Sequence, residues 1–230
     1  MAHFCQSVEL TGVDHITKEG AYTYISNHRD IVLDVAMLDV LLIDHGFPNT
    51  AQIAIGDNLL VHPWIEQFVR MNKAFLVRRS VGARQLLEAS KHMSRYMHYV
   101  LGTREDNIWI AQREGRAKDS SDRTQPAVLR MMTLGGEGNH YENLRHMDLV
   151  PLTISYEYDP CDYLKAKEFQ QKRDDATFKK SKQDDLDNMR VGILGKKGRV
   201  HYRTAGSINQ WLEEYKDLPA KEFFEAVAAR

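Results

Sequence analysis

The chain has 230 residues, 43% of them hydrophobic, and a formal net charge of -1 at pH 7. That suffices for one sizeable core, read as a single domain over residues 1–230, and gives no global charge footprint for nucleic acid. No stretch approaches the roughly 18 uninterrupted apolar residues of a membrane span, the N-terminus lacks the layout of a signal peptide, and Cys5 and Cys161 lie far apart without metal-ligand spacing, which fits a reducing cytoplasm.

Residues 1–20 carry little pattern and read as an irregular or trimmed lead. Ala21 to Ile25 is a short β-rich run. After it, Ile31, Val35, Leu38 and Leu42 recur at helical spacing, predicting a helix over about 31–45 that stops at Asp44-His45-Gly46-Phe47-Pro48-Asn49. Ala51 to Ile55 suits a buried strand. Asp57 or Asn58 can cap a helix running to Met71, interrupted early by Pro63. On it, Trp64 and Phe68 stand four apart and mark either the core face of the helix or side chains resting on a bilayer. Ala74 to Arg79 reads as a strand ending in two arginines, residues 81–101 as an amphipathic helix with Leu86, Leu87 and Met93 on its apolar side, and Asn107 to Ala111 as a strand. Strands and helices alternating at this spacing require crossover connections, hence an α/β fold with a mostly parallel sheet flanked by helices.

Gln112 to Gln125 breaks the regularity with a charge-rich loop. Helices over about 127–132 and 142–146 then lead to the strongest later strand, Leu149 to Tyr156. Residues 160–192 read as a charged helical insertion, a solvated helix pair anchored by Tyr163, Leu164, Phe169, Phe178 and Leu186. A last strand at Gly198 to Arg203 and two short helices, about 207–216 and 219–229, close the chain.

The junction Ile25-Ser26-Asn27-His28-Arg29-Asp30-Ile31-Val32-Leu33-Asp34 places His28 at a strand-to-helix turn, where α/β sheets present chemistry. Asp30 can cap the first turn and Asp34 lies four residues on; either carboxylate could hold the imidazole. Such a pair can remove a proton from an alcohol, the carboxylate fixing the tautomer and stabilising the imidazolium. No serine or cysteine nucleophile motif is present, so direct attack by a bound hydroxyl is the simpler scheme. Arginines ending the strands at Arg78-Arg79 and just beyond Ala111 would, in a parallel sheet, converge on the same edge, where guanidinium forks suit a phosphate. Base and anion clamp together imply a phosphorylated alcohol.

With these residues in view, the chain resembles the glycerolipid acyltransferase family, the glycerol-3-phosphate and 1-acylglycerol-3-phosphate O-acyltransferases, by four ordered blocks over about residues 22–156. Ser26-Asn27-His28-Arg29 with Asp34 resembles the first, and Gly56-Asp57-Asn58-Leu59 through Phe75-Leu76-Val77-Arg78-Arg79 the second. Trp109-Ile110-Ala111-Gln112-Arg113-Glu114-Gly115-Arg116 is similar to the third and Val150-Pro151-Leu152 to the fourth. Two departures stand out: five residues rather than four separate His28 from Asp34, and Arg116 follows Gly115 directly with Ala117 in the place of a serine.

The resemblance implies His28 and Asp34 as catalytic residues, and Arg78, Arg79, Glu114, Gly115 and Arg116 as acceptor-binding residues. It implies an acyl-CoA or acyl carrier protein thioester as donor, glycerol 3-phosphate or a lyso-phospholipid as acceptor, no metal and no further cofactor. A cytoplasmic protein, peripheral at the inner face of the membrane and acting in phospholipid biosynthesis, is the corresponding expectation. The alternatives are a catalytically silent scaffold of the same fold that binds acyl carrier protein or lipid, and a thioester hydrolase in which His28 activates water.

Overall fold

The computed structural model describes residues 4–60, 63–78 and 82–230. Seven strands, β1 (Cys5–Thr11), β2 (Thr23–Ser26), β3 (Ala51–Gly56), β4 (Ala74–Val77), β5 (Asn107–Ala111), β6 (Leu149–Tyr156) and β7 (Gly198–Thr204), form one sheet in the order β1-β7-β6-β2-β5-β3-β4. The five strands from β6 to β4 are mutually parallel. Beyond them β7 runs antiparallel to β6 and parallel to β1. The helices are α1 (Leu33–Asp44), α2 (Pro63–Met71), α3 (Ala83–Tyr99), α4 (Pro126–Thr133), α5 (His140–His146), α6 (Asp162–Asp174), α7 (Lys182–Leu194) and α8 (Ala220–Ala229).

Successive strand residues feed opposite layers, as the two-residue period of a pleated strand requires. Tyr24, Trp109 and Val150 join Val35, Leu38 and Leu42 of α1 on one face. Their neighbours Ile25, Ile108 and Leu149 pack on the other with Met93, Met97, Leu129, Leu144 and Phe223, from α3, α4, α5 and α8. Strand segments covered on both sides read as apolar runs, as in β5 and the first half of β6, while the second half of β6 alternates, with Thr153 and Ser155 exposed; both strands are legible in the sequence to the residue.

Several expectations are corrected. The patternless lead contains β1: a bulge between Cys5 and Ser7 breaks the alternation, and Leu10 alone of its residues is buried, so an edge strand left no periodic trace. Pro63 does not interrupt the second helix but begins it, its missing N–H falling where no intrahelical partner exists. On α3 Met93 is buried, whereas Leu86 and Leu87 are exposed. The segment 207–216 is two short 3-10 turns, Ile208–Gln210 and Leu212–Tyr215, instead of one helix. No described helix is long and apolar enough to cross a membrane.

Behind the sheet, His98 of α3 stacks on His146 of α5 with ring centroids 4.8 Å apart, and its Nε2 is buried without a partner among the described residues. Burial first, and the neighbouring imidazole second, push His98 down to about 4. The native state therefore holds fewer protons here than the unfolded chain, whose imidazole titrates near pH 6.5. The stabilisation is present above that pH and is lost as pH falls through about 4. The carboxyls of Asp30 and Asp39, raised by burial, act in the opposite sense. The unfolding free energy of wild type minus that of His98→Gln, from urea titrations, is thus expected to be flat above pH 6.5, to fall between there and about pH 4, and to level off below; a difference independent of pH would refute the assignment.

Candidate active site

At the carboxyl edge of the sheet, β2 leads into the turn that carries His28, and its neighbours β5 and β6 supply the walls. The side chain of Asn27 continues the ladder beyond Ser26: Nδ2 donates to the Ile154 carbonyl at 2.9 Å and Oδ1 accepts from Ile154 N–H at 2.8 Å. Trp109 Nε1 donates to Ser26 Oγ at 3.0 Å, and the indole meets the His28 ring edge-on at 5.5 Å between centroids. His28 is thus held from the strand below and the ring beside it.

Asp34, in the first turn of α1, is the partner of His28. Its Oδ2 accepts from His28 Nδ1 at 2.8 Å and from the backbone N–H groups of Arg29 and Asp30 at 2.6 and 3.0 Å, while its Oδ1 accepts from the Tyr156 hydroxyl at 3.0 Å. The extra residue between His28 and Asp34 is absorbed by a turn whose two N–H groups point at the carboxylate. Asp30 faces elsewhere: its Oδ1 caps α1 through the N–H groups of Val32 and Leu33, at 2.9 and 2.8 Å. With Asp34 only 1% exposed and the His28 side chain 16% exposed, the imidazole keeps one face toward solvent. Its Nε2 has no hydrogen-bond partner among the described residues.

Two tyrosines close the far side of Asp34, Tyr202 buried and Tyr156 half-buried. Tyr202 Oη donates to the Asp34 backbone carbonyl at 2.8 Å, and the hydroxyls of Tyr156 and Tyr202 are held well above the usual phenol range, by burial first and the adjacent Asp34 charge second. They remain donors throughout any working pH. Sequence reasoning missed both, since nothing in a strand's alternation distinguishes a core tyrosine from one that donates to a carboxylate 122 positions away.

The loop after β5 folds back on itself, Gln125 N–H donating to the Gln112 carbonyl at 2.9 Å and Arg113 Nη1 to the Ser121 carbonyl at 2.7 Å. Gly115 has φ +68, a left-handed conformation that a side chain would strain, with open space where a Cβ would stand. The turn brings Arg113, Gly115 and Arg116 to the wall of the cavity that His28 lines. Arg116 is buried, with Nη2 donating to Asn188 Oδ1 at 2.9 Å, and both its Nη1 and the Arg113 Nε are buried without partners among the described residues. Buried guanidinium N–H groups left unpaired are a standing cost that an anion would relieve.

Other expected residues are not brought here. Glu114 is exposed and does not line the cavity; its N–H donates to Gln125 Oε1 at 2.9 Å. Arg78 follows β4, three places from β2 in the sheet, so about 14 Å of strand spacing separates them, and its exposed side chain does not line the cavity. Arg79 lies outside the described residues.

The cavity has a volume of about 740 Å³, within the range of small-molecule sites, and runs between α1, α2 and α7 over β3. Its walls are largely apolar, with Val32, Val35, Ile53, Ile65 and Met189 among them. Trp64 and Phe68 also line it while remaining 64% and 53% exposed, so they are a wall of this cavity and not the core face of their helix, where Ile65 alone is buried.

The charged helices α6 and α7 are no solvated pair. Their expected anchors Tyr163 and Phe169 are largely exposed, whereas Lys165, Glu168, Asn188 and Gly192 are buried against the site loops. Lys165 Nζ donates to the Arg29 carbonyl at 2.8 Å and also pairs with Asp159. Glu168 gathers Lys118 and Lys172 at 2.9 Å and Lys180 at 3.7 Å. Polar side chains are buried because what they cover is itself a polar turn. Gly192 permits the contact: a Cβ there would lie 2.0 Å from Asp30 Oδ2, and Asp30 is fixed by its cap. Gly192→Ala is expected to push α7 off the turn and lower the melting temperature by several degrees, although alanine is the better helix former. An unchanged or raised melting temperature would show that α7 does not rest on Asp30.

No curated protein matches the sequence. Among solved structures the chain is similar to the 1-acyl-sn-glycerophosphate (LPA) acyltransferase PlsC from Thermotoga maritima, at 13% identity and a TM-score of 0.42, over 97% of this chain and 73% of that one. A model of the Acyltransferase family matches residues 7–133, more than half of the chain and the part that carries His28, Asp34 and the Arg113–Arg116 turn, and on that match this protein belongs to the Acyltransferase family.

Proposed function

We propose that the protein is an O-acyltransferase that moves a fatty acyl group from a thioester of coenzyme A or acyl carrier protein to the hydroxyl of glycerol 3-phosphate or a lyso-phospholipid, with His28 as general base. The observation that carries this reading is the His28–Asp34 contact at the mouth of an apolar cavity whose rim holds two guanidinium groups, Arg113 and Arg116, each with one buried N–H donor unpaired among the described residues. In this scheme His28 Nε2 takes the acceptor proton as the acceptor oxygen bonds to the thioester carbonyl carbon. The C–S bond then breaks, and the proton passes from the imidazolium to the departing thiolate. Asp34 keeps Nδ1 protonated and balances the transient charge. Arg113 and Arg116 hold the acceptor phosphate, and the acyl chain lies along the apolar walls. The unusual spacing that would suit a catalytically silent scaffold does not part His28 from Asp34.

The test is thiol release from acyl-CoA by the purified chain with a panel of phosphorylated and unphosphorylated acceptors, with products identified by mass spectrometry. Acylated phosphorylated acceptor is the expected product. Acyl loss without any acceptor would indicate a hydrolase, and no turnover with any donor and acceptor would favour the silent scaffold.

His28→Ala is expected to fold normally and to lower kcat by roughly two to four orders of magnitude. Asp34→Asn should lower it too, because the amide fills the site without balancing the imidazolium, and Asp30→Asn should do much less, since asparagine caps a helix about as well. Tyr156→Phe removes one donor from Asp34, leaving more negative charge on the carboxylate. The acid limb of its kcat–pH profile should move to higher pH while the acceptor KM stays near wild type. Full activity in His28→Ala would end the general-base reading.

Arg116→Lys keeps a charge but loses the fork. Its expected effect is an acceptor KM raised by about tenfold or more with a smaller change in kcat, as befits a contact made equally in ground and transition states. An unaltered acceptor KM would remove Arg116 from the phosphate site.

A further inference from the structure

His28 and the arginine-bearing loop leave the sheet from neighbouring strands at the same level. Ser26 is paired with Ala111, so His28 and Arg113 each stand two residues beyond the last rung, on chains that start about 4.8 Å apart. Gln112 N–H donates to the Ser26 carbonyl at 2.7 Å and extends the ladder by one bond. Past that bond, side chains set the offset between the two segments.

On the His28 side, Arg29 is fixed at both ends of its backbone. Its N–H donates to Asp34 Oδ2 at 2.6 Å and its carbonyl accepts from Lys165 Nζ at 2.8 Å. Its guanidinium reaches across to form an ion pair with Asp122 Oδ2, an oxygen that Asn27 Nδ2 also approaches at 3.4 Å. Asp122 belongs to the loop after β5. Its backbone carbonyl accepts from Gln112 Nε2 at 2.6 Å, and the carbonyl of its neighbour Ser121 accepts from Arg113 Nη1 at 2.7 Å. A continuous chain of contacts thus leads from Asp34 through Arg29 and Asp122 to the guanidinium of Arg113.

The ion pair is a poor device for stability. The side chains of Arg29 and Asp122 are 25% and 28% exposed, so water screens their attraction. Asp122 Oδ1 is buried without a partner among the described residues, so the two-bond fork that makes arginine–carboxylate pairs strong is not formed. Its effect is geometric. One end is held by Asp34 and Lys165, whereas Lys118 to Gln125 contains no apolar residue that could anchor the loop in the core.

We propose that Arg29 and Asp122 are a positioning pair that holds the Arg113 guanidinium at a fixed offset from His28, and so determines how many carbons separate the acceptor's phosphate from the hydroxyl that is acylated. The proposal rests on the reading of His28 as base and Arg113 as phosphate ligand given above.

The test is acyl transfer to a ladder of unbranched hydroxyalkyl phosphates, each one carbon longer than the last, with thioesters of coenzyme A and of acyl carrier protein as donors and products quantified by mass spectrometry. Wild type should prefer one length over its neighbours by about tenfold or more in kcat/KM, since misplacing a reacting group by about 1 Å costs up to about 10²-fold. In Arg29→Gln and in Asp122→Asn that preference should fall to about threefold or less, the best acceptor losing most. The double variant should lose no more than either single one, because each change alone breaks the pair. A merely structural role would lower every length by the same factor and leave the preference intact.

An unchanged preference in the single variants overturns the proposal, as does a double variant whose loss is the product of the two. Should Arg29→Gln fail to fold, Asp122→Asn, at a partly exposed position, decides the matter. Wild type that acylates every length equally overturns the inference and leaves the acyltransferase reading standing. Wild type that acylates no member of the ladder removes the phosphate reading, and the inference with it.

Discussion

Asp34 is where the constraints of this site meet. A carboxylate only 1% exposed is costly to place unless every lone-pair direction is used, and here four donors from two parts of the chain supply them: the His28 ring with the Arg29 and Asp30 N–H groups of the same turn, and the Tyr156 hydroxyl. Hydrogen bonds to a charged acceptor contribute about 1.5–3 kcal/mol each. The same bonds fix β2, the start of α1 and the end of β6 relative to one another, so the geometry of the imidazole follows from the way the sheet is closed.

Around this centre the protein uses buried polarity in place of a greasy lid. Lys165 reaches the Arg29 carbonyl, Asn188 holds Arg116, and Glu168 gathers three lysines from two loops and its own helix. Removing one member of such a network leaves the others buried and unpaired, so its specificity exceeds its net stabilisation. The result divides the cavity chemically. Its rim is lined by fixed cations and backbone turns, and its length by aliphatic and aromatic side chains from α1, α2 and α7. On the proposed reading, the acceptor phosphate meets the rim and the acyl chain the apolar length.

Much of this was legible in the chain itself. The buried centre of β5 and the first half of β6 are apolar runs, and both strands were readable to the residue; the crossover spacing between strands dictated a mostly parallel sheet. That parallelism put His28 and the Arg113–Arg116 turn on one edge, because β2 and β5 are neighbours. The sequence could not rank strands across the sheet. Arg78 shares that edge in direction but stands three strands away, a consequence of strand order, which local pattern does not encode.

What the residues alone determined was the set of chemical actors: a histidine at a strand-to-helix turn, two candidate carboxylates, and an arginine-bearing loop after an apolar strand. Which carboxylate serves the histidine was decided only in three dimensions. Asp30 turns its oxygen to the N–H groups of Val32 and Leu33, and Asp34 receives a tyrosine from 122 positions away, a contact no spacing rule contains. The same holds for α6 and α7. Their sequence is that of a solvated pair, yet they bury lysine, glutamate and asparagine because the surface they cover is made of polar turns. Periodicity reports how a segment meets an apolar core; where one polar element packs on another it is silent, and only the tertiary structure supplies the partners.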